Sequence, residues 1–378
     1  MAYILLPLHR KKRKWKRKKY LWQRPHSAWK VPFAPVPLLA RELRNLNENI
    51  AAEASRERRS MNENIAAEAS RERRSAGVNT AAAKRTEARD MNENISLDLG
   101  IGPIGLCLSG GGFRAVAFHL GTLSYLDHVG LRQNIRQLST VSGGTYIGAK
   151  YVLSLMEGVS FPDFFRSYYQ YAETTDLMAL GLSALQGPRP ETPSGRQHLI
   201  AGMARAHAET SMKDPQGRQY LFGQILDAKL PLDEIVFNST ELRQGQVFRF
   251  QCSASGRVNI GTDDIQISRA DAAQIRMADI VAASSCFPGG FEPLAFPDDF
   301  VWADRRPPAA LRNQFSRDGK PAPVLLVDGC VADNPGIESI LITNRDAHSS
   351  NNGLLVISDI DPYVPELYSY LPPGKDGG

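Results

Sequence analysis

The chain has 378 residues, a net charge of +5, 42% hydrophobic and 22% charged residues, the proportions of a folded protein with room for two or three domains. Its four cysteines, Cys107, Cys252, Cys286 and Cys330, are far apart, which excludes a CxxC zinc or redox motif and a dense disulfide framework and points to buried thiols in a reducing, cytoplasmic setting. No apolar run reaches the roughly 18 residues of a membrane span, and the short YILLPL precedes the basic residues, the reverse of a secretory signal.

The charge is unevenly spread. Through Arg44 there are 13 basic residues and one acid (+12), leaving 32 basic and 39 acidic residues (−7) after it. The basic character sits in RKKRKWKRKK, Arg10 to Lys19. First in rank is an unstructured solubilising leader; an anionic membrane surface ranks second and nucleic acid last, since only Trp15 interrupts the run. VPFAPVPLLA, from Val31, reads as a proline-punctuated linker. Residues 46–75 are an exact tandem repeat but for the first position, LNENIAAEASRERRS then MNENIAAEASRERRS, and a degraded third copy follows. Alanine, glutamate and arginine favour helix. A 15-residue step turns the sparse apolar stripe by about 60° on an ideal helix. The repeats are therefore expected to form a polar, partly frayed helix or to be disordered, with a self-associating coiled coil as the sharper alternative. No chemistry is expected there.

The organised part begins near Ser96 to Gly102. IGLCL reads as a buried strand that ends in Ser109-Gly110-Gly111-Gly112, and the helical pattern AVAFHLGTLSYLDHV follows at once. Three glycines let the backbone turn tightly and approach a ligand. The unpaired N–H groups of the first helical turn make that loop a site for negative charge. QLSTV is a second strand, then Ser142-Gly143-Gly144, then the helix TYIGAKYVLSLM. A serine between a buried strand and a helix, with glycines around it, has the layout of a nucleophile elbow. An anion cradle beside a nucleophile suggests acyl transfer through an oxyanion.

The aromatic stretch from Phe161 (Phe164, Phe165, Tyr168, Tyr169) is expected to pack on the core, with an acyl-chain entrance or a bilayer contact as the alternative. Gly187 to Gln197 is loop. EIVFNST and QVFRFQC form a strand pair, IRMADIVAASSCFP a helix running into a turn, and PVLLV and GLLVISD two further buried strands. Short apolar strands separated by helices indicate a largely parallel sheet covered on both faces, with ligands at the carboxyl ends of the strands. The glycine loop, Ser142 and Asp328 all fall at such ends.

A serine hydroxyl needs a base. Ser142, Asp328 and His348 follow the order of a triad, yet NRDAHSSNN offers no apolar frame to hold the His348 imidazole. His119 and His128 read as a core contact and a helix-end cation. A partly buried Asp328 has a raised pKa and could itself serve as the base; the bland reading makes it a turn carboxylate. A nucleotide-binding loop in GGGFRA is a rival, but it wants an acid at a strand end about 20 residues on, and Asp127 falls within the helical pattern.

SGGGFRA, TVSGG, FNST, ADIVAASSCFP and DGCVADNPG, in this order and spacing, resemble the patatin-like phospholipases over residues 102–359. The resemblance implies a three-layer α/β/α domain with a mostly parallel central sheet. It implies a Ser–Asp dyad that hydrolyses membrane-lipid esters through an acyl-enzyme, with no metal or other cofactor. Ser142 would be the nucleophile and Asp328 the base. Gly110, Gly111 and Gly112 would supply oxyanion N–H groups, helped by Arg114, and Gly143 and Gly144 would form the elbow. Three positions depart from the family pattern: Thr140 stands where the elbow's first glycine is usual, Ala115 where the loop often ends in glycine, and Cys330 where a small residue follows the aspartate. Thr140 needs room, and Cys330 sets an oxidisable thiol near the base. The expected division is therefore a leader (1–45), a repeat segment (46–95) and a catalytic domain (96–378). A non-catalytic membrane-associated or scaffold protein on the same body is the alternative.

Overall fold

The computed structural model describes residues 2–5 and 102–360, apart from 189–190, 263–266, 303–305, 315, 318–319 and 347–352. The chain divides into two units, Met1–Pro7 with Leu99–Gly378, and Leu8–Asp98. The basic run Arg10–Lys19, the tandem repeats and His348 lie outside the described residues.

Strand β1 (Ala2–Leu5) belongs to the stretch expected to be a leader; it pairs antiparallel with the late strand β11 (Leu354–Ser358), Ala2 opposite Ser358. IGLCL forms β2 (Ile104–Leu108), buried throughout, and the glycine loop feeds helix α1 (Gly112–His128). Strand β3 (Ile135–Val141) leads through Ser142 into α2 (Gly143–Met156). The aromatic stretch is α3 (Phe161–Thr174), started by Ser160, whose hydroxyl caps the Asp163 N–H. Phe161, Phe164 and Tyr168 recur every three or four residues and are buried, as the core reading required, while Phe165 and Tyr169 are half-buried. Helices α4 (Leu177–Gln186), α5 (Leu199–Thr210) and α6 (Phe222–Asp227) follow. The expected strand pair is β4 (Glu234–Glu241) with β5 (Gln246–Ser253), extended by β6 (Val258–Gly261). Helices α7 (Arg269–Ala273) and α8 (Met277–Ser284), then β7 (Leu294–Phe296), precede helix α9 (Ala309–Gln314) and a small hairpin of β8 (Ser316–Arg317) and β9 (Lys320–Pro321). Strand β10 (Val324–Asp328), α10 (Cys330–Asp333), α11 (Ile337–Asp346) and β11 complete the body.

The fold is three-layer α/β. The middle of its sheet is parallel, in the order β11, β2, β3, β4, and these strands read as continuous apolar runs because both faces are covered. Leu106 and Leu108 of β2 point to the larger core with α1, α2 and α8, whereas Cys107 meets Ile340 of α11 and Ile357 in a small second cluster.

Asp328 falls at the carboxyl end of its strand as expected, but that strand is an antiparallel member of the sheet. β10 runs antiparallel to β4, with Asp328 opposite Ser239. β5 occupies the whole of one edge of β4, from Glu234 to Glu241. β3 and β10 therefore share the other edge. β3 climbs it as far as Val141, opposite Asn238, and β10 descends to Asp328, opposite the next residue, Ser239. Two strands meeting tip to tip bring Ser142 and Asp328 together.

Candidate active site

Ser142 is the N-cap of α2, with φ 53° and ψ −121°, and among the described residues it is the single non-glycine residue with a positive φ. Such a conformation costs of order 1–3 kcal/mol and persists only where its surroundings over-determine it. Here they do. The Ser142 carbonyl accepts from Thr145 N–H at 2.8 Å and Tyr146 N–H at 3.1 Å, and its own N–H donates to Ser284 Oγ at 2.9 Å. Gly143 and Gly144 make the elbow possible by their lack of side chains. A Cβ on Gly143 would lie 2.2 Å from the Gly112 carbonyl oxygen, and one on Gly144 2.3 Å from that of Leu108. Either would push the glycine loop away from the serine. The room that Thr140 needs is supplied by Gly148, where a Cβ would lie 2.5 Å from the Thr140 methyl.

Asp328 is 1% exposed. The Ser142 side chain lies beside its carboxylate, and Cys330 N–H donates to Oδ1 at 2.9 Å. Burial pushes the carboxyl pKa up, opposed by the Ser142 hydroxyl and the Cys330 donor beside it. The Cys330 thiol neighbours Asp328, and burial, then that carboxylate, hold its pKa far above the ordinary thiol value. It is therefore a protonated thiol, the form least open to oxidation. Behind the aspartate, Asp328 N–H donates to the Cys286 carbonyl at 2.8 Å and Gly329 N–H to that of Ser284 at 3.2 Å.

The glycine loop lies directly over the serine: a Cβ on Gly110 would be 3.1 Å from Ser142 Cβ. The peptide joining Ser109 to Gly110 is clamped from both sides. The Ser109 carbonyl accepts from His119 Nε2 at 2.8 Å, and Gly110 N–H donates to both the carbonyl (3.2 Å) and the Oδ1 (3.1 Å) of Asn334. Gly110 thus shapes the loop, and its N–H is not available to an oxyanion, contrary to expectation. The N–H groups of Gly111 and Gly112, at φ 149° and 62°, have no acceptor among the described residues. Arg114 is exposed and has no acidic partner among the described residues.

His119 is the core contact expected: burial lowers its pKa to about 4, and Nδ1 pairs with the Ser358 hydroxyl at 2.8 Å. His128 closes the last turn of α1. Among the described residues no histidine hydrogen-bonds Ser142 or Asp328. Asp127 sits within α1 with its carboxylate 2.6 Å from Arg132 Nε, so it does not serve the nucleotide reading. Three residues that sequence reasoning did not single out hold the site together: Asn238, Ser284 and Asn334. They lie in FNST, AASSC and ADNPG, motifs whose polar residues sit beside apolar strands or helices with no surface to serve, and that was the signal available.

The fold and site together define an α/β protein with a strained serine and a buried carboxylate beneath a glycine loop. The chain belongs to the patatin-like phospholipase family, whose model matches residues 106–341. No curated protein matches it in sequence. Among solved structures it is similar to VipD from Legionella pneumophila (14% identity, TM-score 0.28, 62% of this chain and 46% of that one). Human GIVD cytosolic phospholipase A2 is also similar (13%, 0.34, 70% and 48%), as is ExoU of the Pseudomonas aeruginosa type III secretion system, solved with SpcU (20%, 0.25, 50% and 38%). The matches span less than half the length of each of those chains. Among the described residues no helix is long and apolar enough to cross a membrane.

Proposed function

We propose that the chain is a serine lipid acyl hydrolase, phospholipase A-like, which cleaves ester bonds of membrane lipids through Ser142 and Asp328. The observation that carries this reading is the strained Ser142 at the turn into α2, set beside the buried Asp328 carboxylate and under a glycine loop. Asp328 takes the hydroxyl proton as Ser142 attacks the acyl carbon. The negative charge that develops on the carbonyl oxygen is met by the free N–H groups of Gly111 and Gly112, with the Arg114 guanidinium nearby. The leaving alcohol recovers the proton from Asp328, and water then attacks the acyl-serine by the same route. Three exposed apolar side chains favour a lipid substrate. Phe113 follows Gly112, Phe287 follows Cys286, and Val331 follows Cys330, so each flanks a loop that holds the dyad. We further place the division between leader, repeats and catalytic domain at residues 45 and 95, with the protein cytoplasmic and peripheral to membranes when it acts.

The test is labelling by a serine-reactive fluorophosphonate together with phospholipid hydrolysis. Ser142→Ala should abolish both in a protein that remains folded, a loss of several orders of magnitude in rate. Labelling that persists on another serine would remove Ser142 from the role. No labelling of wild type would favour a binding protein on this body.

A further inference from the structure

Both members of the proposed dyad are held by one short segment. Ser284, the last residue of α8, accepts the Ser142 N–H on its side chain and the Gly329 N–H on its carbonyl. Two residues later the Cys286 carbonyl accepts the Asp328 N–H. The Ser284 hydroxyl is in turn part of a buried chain in which the directions of the Ser284 and Thr145 protons are forced. Its oxygen is 2.5 Å from the Asn238 carbonyl, which can only accept, so its single proton goes there. The lone pairs of Ser284 Oγ then receive the Ser142 N–H at 2.9 Å and the Thr145 hydroxyl at 2.7 Å. With its proton committed, Thr145 Oγ1 can only accept from Thr140 Oγ1, at 2.9 Å, the shorter of the two contacts open to the Thr140 proton, the other being the Val236 carbonyl at 3.3 Å. Thr140, Thr145 and Ser284 are all 0% exposed, so no water stands in for a missing member.

We infer that Ser284 is a positioning residue for the reaction. Oriented by Thr145 and Thr140, it fixes the strained backbone of Ser142 at the distance and angle at which its hydroxyl meets Asp328. This gives Thr140 a role: where the family pattern has a glycine, this chain places the outer hydroxyl of the chain that orients Ser284. The inference rests on Ser142 being the nucleophile, and the experiment separates the two.

Turnover of a soluble short-chain ester and the rate of fluorophosphonate labelling are measured on the full chain, with active sites counted by titration. Ser284→Ala should lower kcat and the labelling rate together by about 10²-fold, the scale of a misplaced reacting group, with KM within about threefold of wild type. Thr145→Val should lower both by about 10-fold, and Thr145→Ser, which keeps the hydroxyl, should restore them to within about threefold. If Ser284→Ala does not fold, the Thr145 pair decides. A Ser284→Ala protein of lower Tm with wild-type kcat per titrated site and wild-type labelling rate would overturn the positioning role while leaving the hydrolase reading intact. Equal rates for Thr145→Val and Thr145→Ser would also overturn it. Absence of Ser142 labelling in wild type would remove both.

Discussion

At the scale of single residues the pair Ser142 and Asp328 sets opposed demands on stability and activity. Burial raises the Asp328 pKa, so the folded state favours the protonated acid while general-base action needs the carboxylate. A carboxyl raised in the fold contributes stability that is fully present below its unfolded value, near 4, and lost as pH rises through the folded value. Turnover should therefore rise with pH through a limb lying above the usual carboxylate range. Asp328→Asn should cost nearly as much rate as Ser142→Ala, because an amide cannot take the proton. Its Tm should equal or exceed that of wild type at pH 8, where the charge is dearest. A pH profile paired with thermal melts of both proteins checks this. A large drop in Tm for the asparagine at pH 8, with activity retained, would show that Asp328 is a structural capping carboxylate.

At the scale of elements, the elbow and the α2 helix behind it are matched to each other. The Thr140 methyl fills the space left open by Gly148. Gly148→Ala should destabilise by about 1–3 kcal/mol through overpacking. Thr140→Ser, which removes that methyl and keeps the hydroxyl, should recover most of the loss when combined with it. Chemical denaturation of the two single variants and the double variant measures the coupling, and additive effects would mean that the two sites do not touch.

A second element-level tie joins the loop before α5 to the strand β7. Asp299, buried, accepts from Ala295 N–H at 2.7 Å and from Ser194 and Arg196 of the loop. Burial works against its charge, but the neighbouring His198 ring, 3.4 Å away, and the bonds from Arg196 and Ser194 outweigh it and hold the pKa at about 2. A carboxylate depressed in the fold contributes stability present above its unfolded value near 4 and lost as pH falls through the folded value, here between about 4 and 2. Asp299→Asn should thus cost about 2 kcal/mol at neutral pH and little near pH 2. Equal unfolding midpoints for wild type and variant at pH 7 would dismiss the tie.

At the scale of the whole molecule, every residue of the proposed site comes from within 102–360. Removing residues 1–98 should leave turnover of a soluble short-chain ester within a few-fold of wild type, although it takes away β1 and opens the edge of β11. Binding to anionic vesicles should fall on truncation and fall with salt. Nine clustered basic residues are worth about 1 kcal/mol each near such a surface and are screened over about 8–10 Å. Cosedimentation of full-length and truncated protein at low and high salt is the measurement. Equal binding would leave Arg10–Lys19 a passive leader, and collapse of soluble-ester turnover would move the domain boundary.

The sequence by itself determined strands β2, β3, β4, β5, β10 and β11 and helices α1, α2 and α8 of the body, but not the helices between Leu177 and Asp227 or the short strands β6 and β7. Apolar runs such as IGLCL and PVLLV and the periodic spacing of Phe161, Phe164 and Tyr168 are local signals, and so is the serine turn between β3 and α2, because glycines at 143 and 144 are needed wherever two backbones approach so closely. Family membership was legible from the same motifs. Strand direction was not. PVLLV reads alike whether it climbs or descends the sheet, and only the competition for the edges of β4 decides that β10 comes down to meet β3 at Asn238 and Ser239. The loss of the Gly110 N–H to Asn334, 224 residues away, and the grip of Ser284 on Ser142, 142 residues away, were equally hidden. Hydrogen bonds between segments so distant leave no period or spacing in the chain; they exist only once packing has brought both ends into the same dry interior, where each polar group must find a partner.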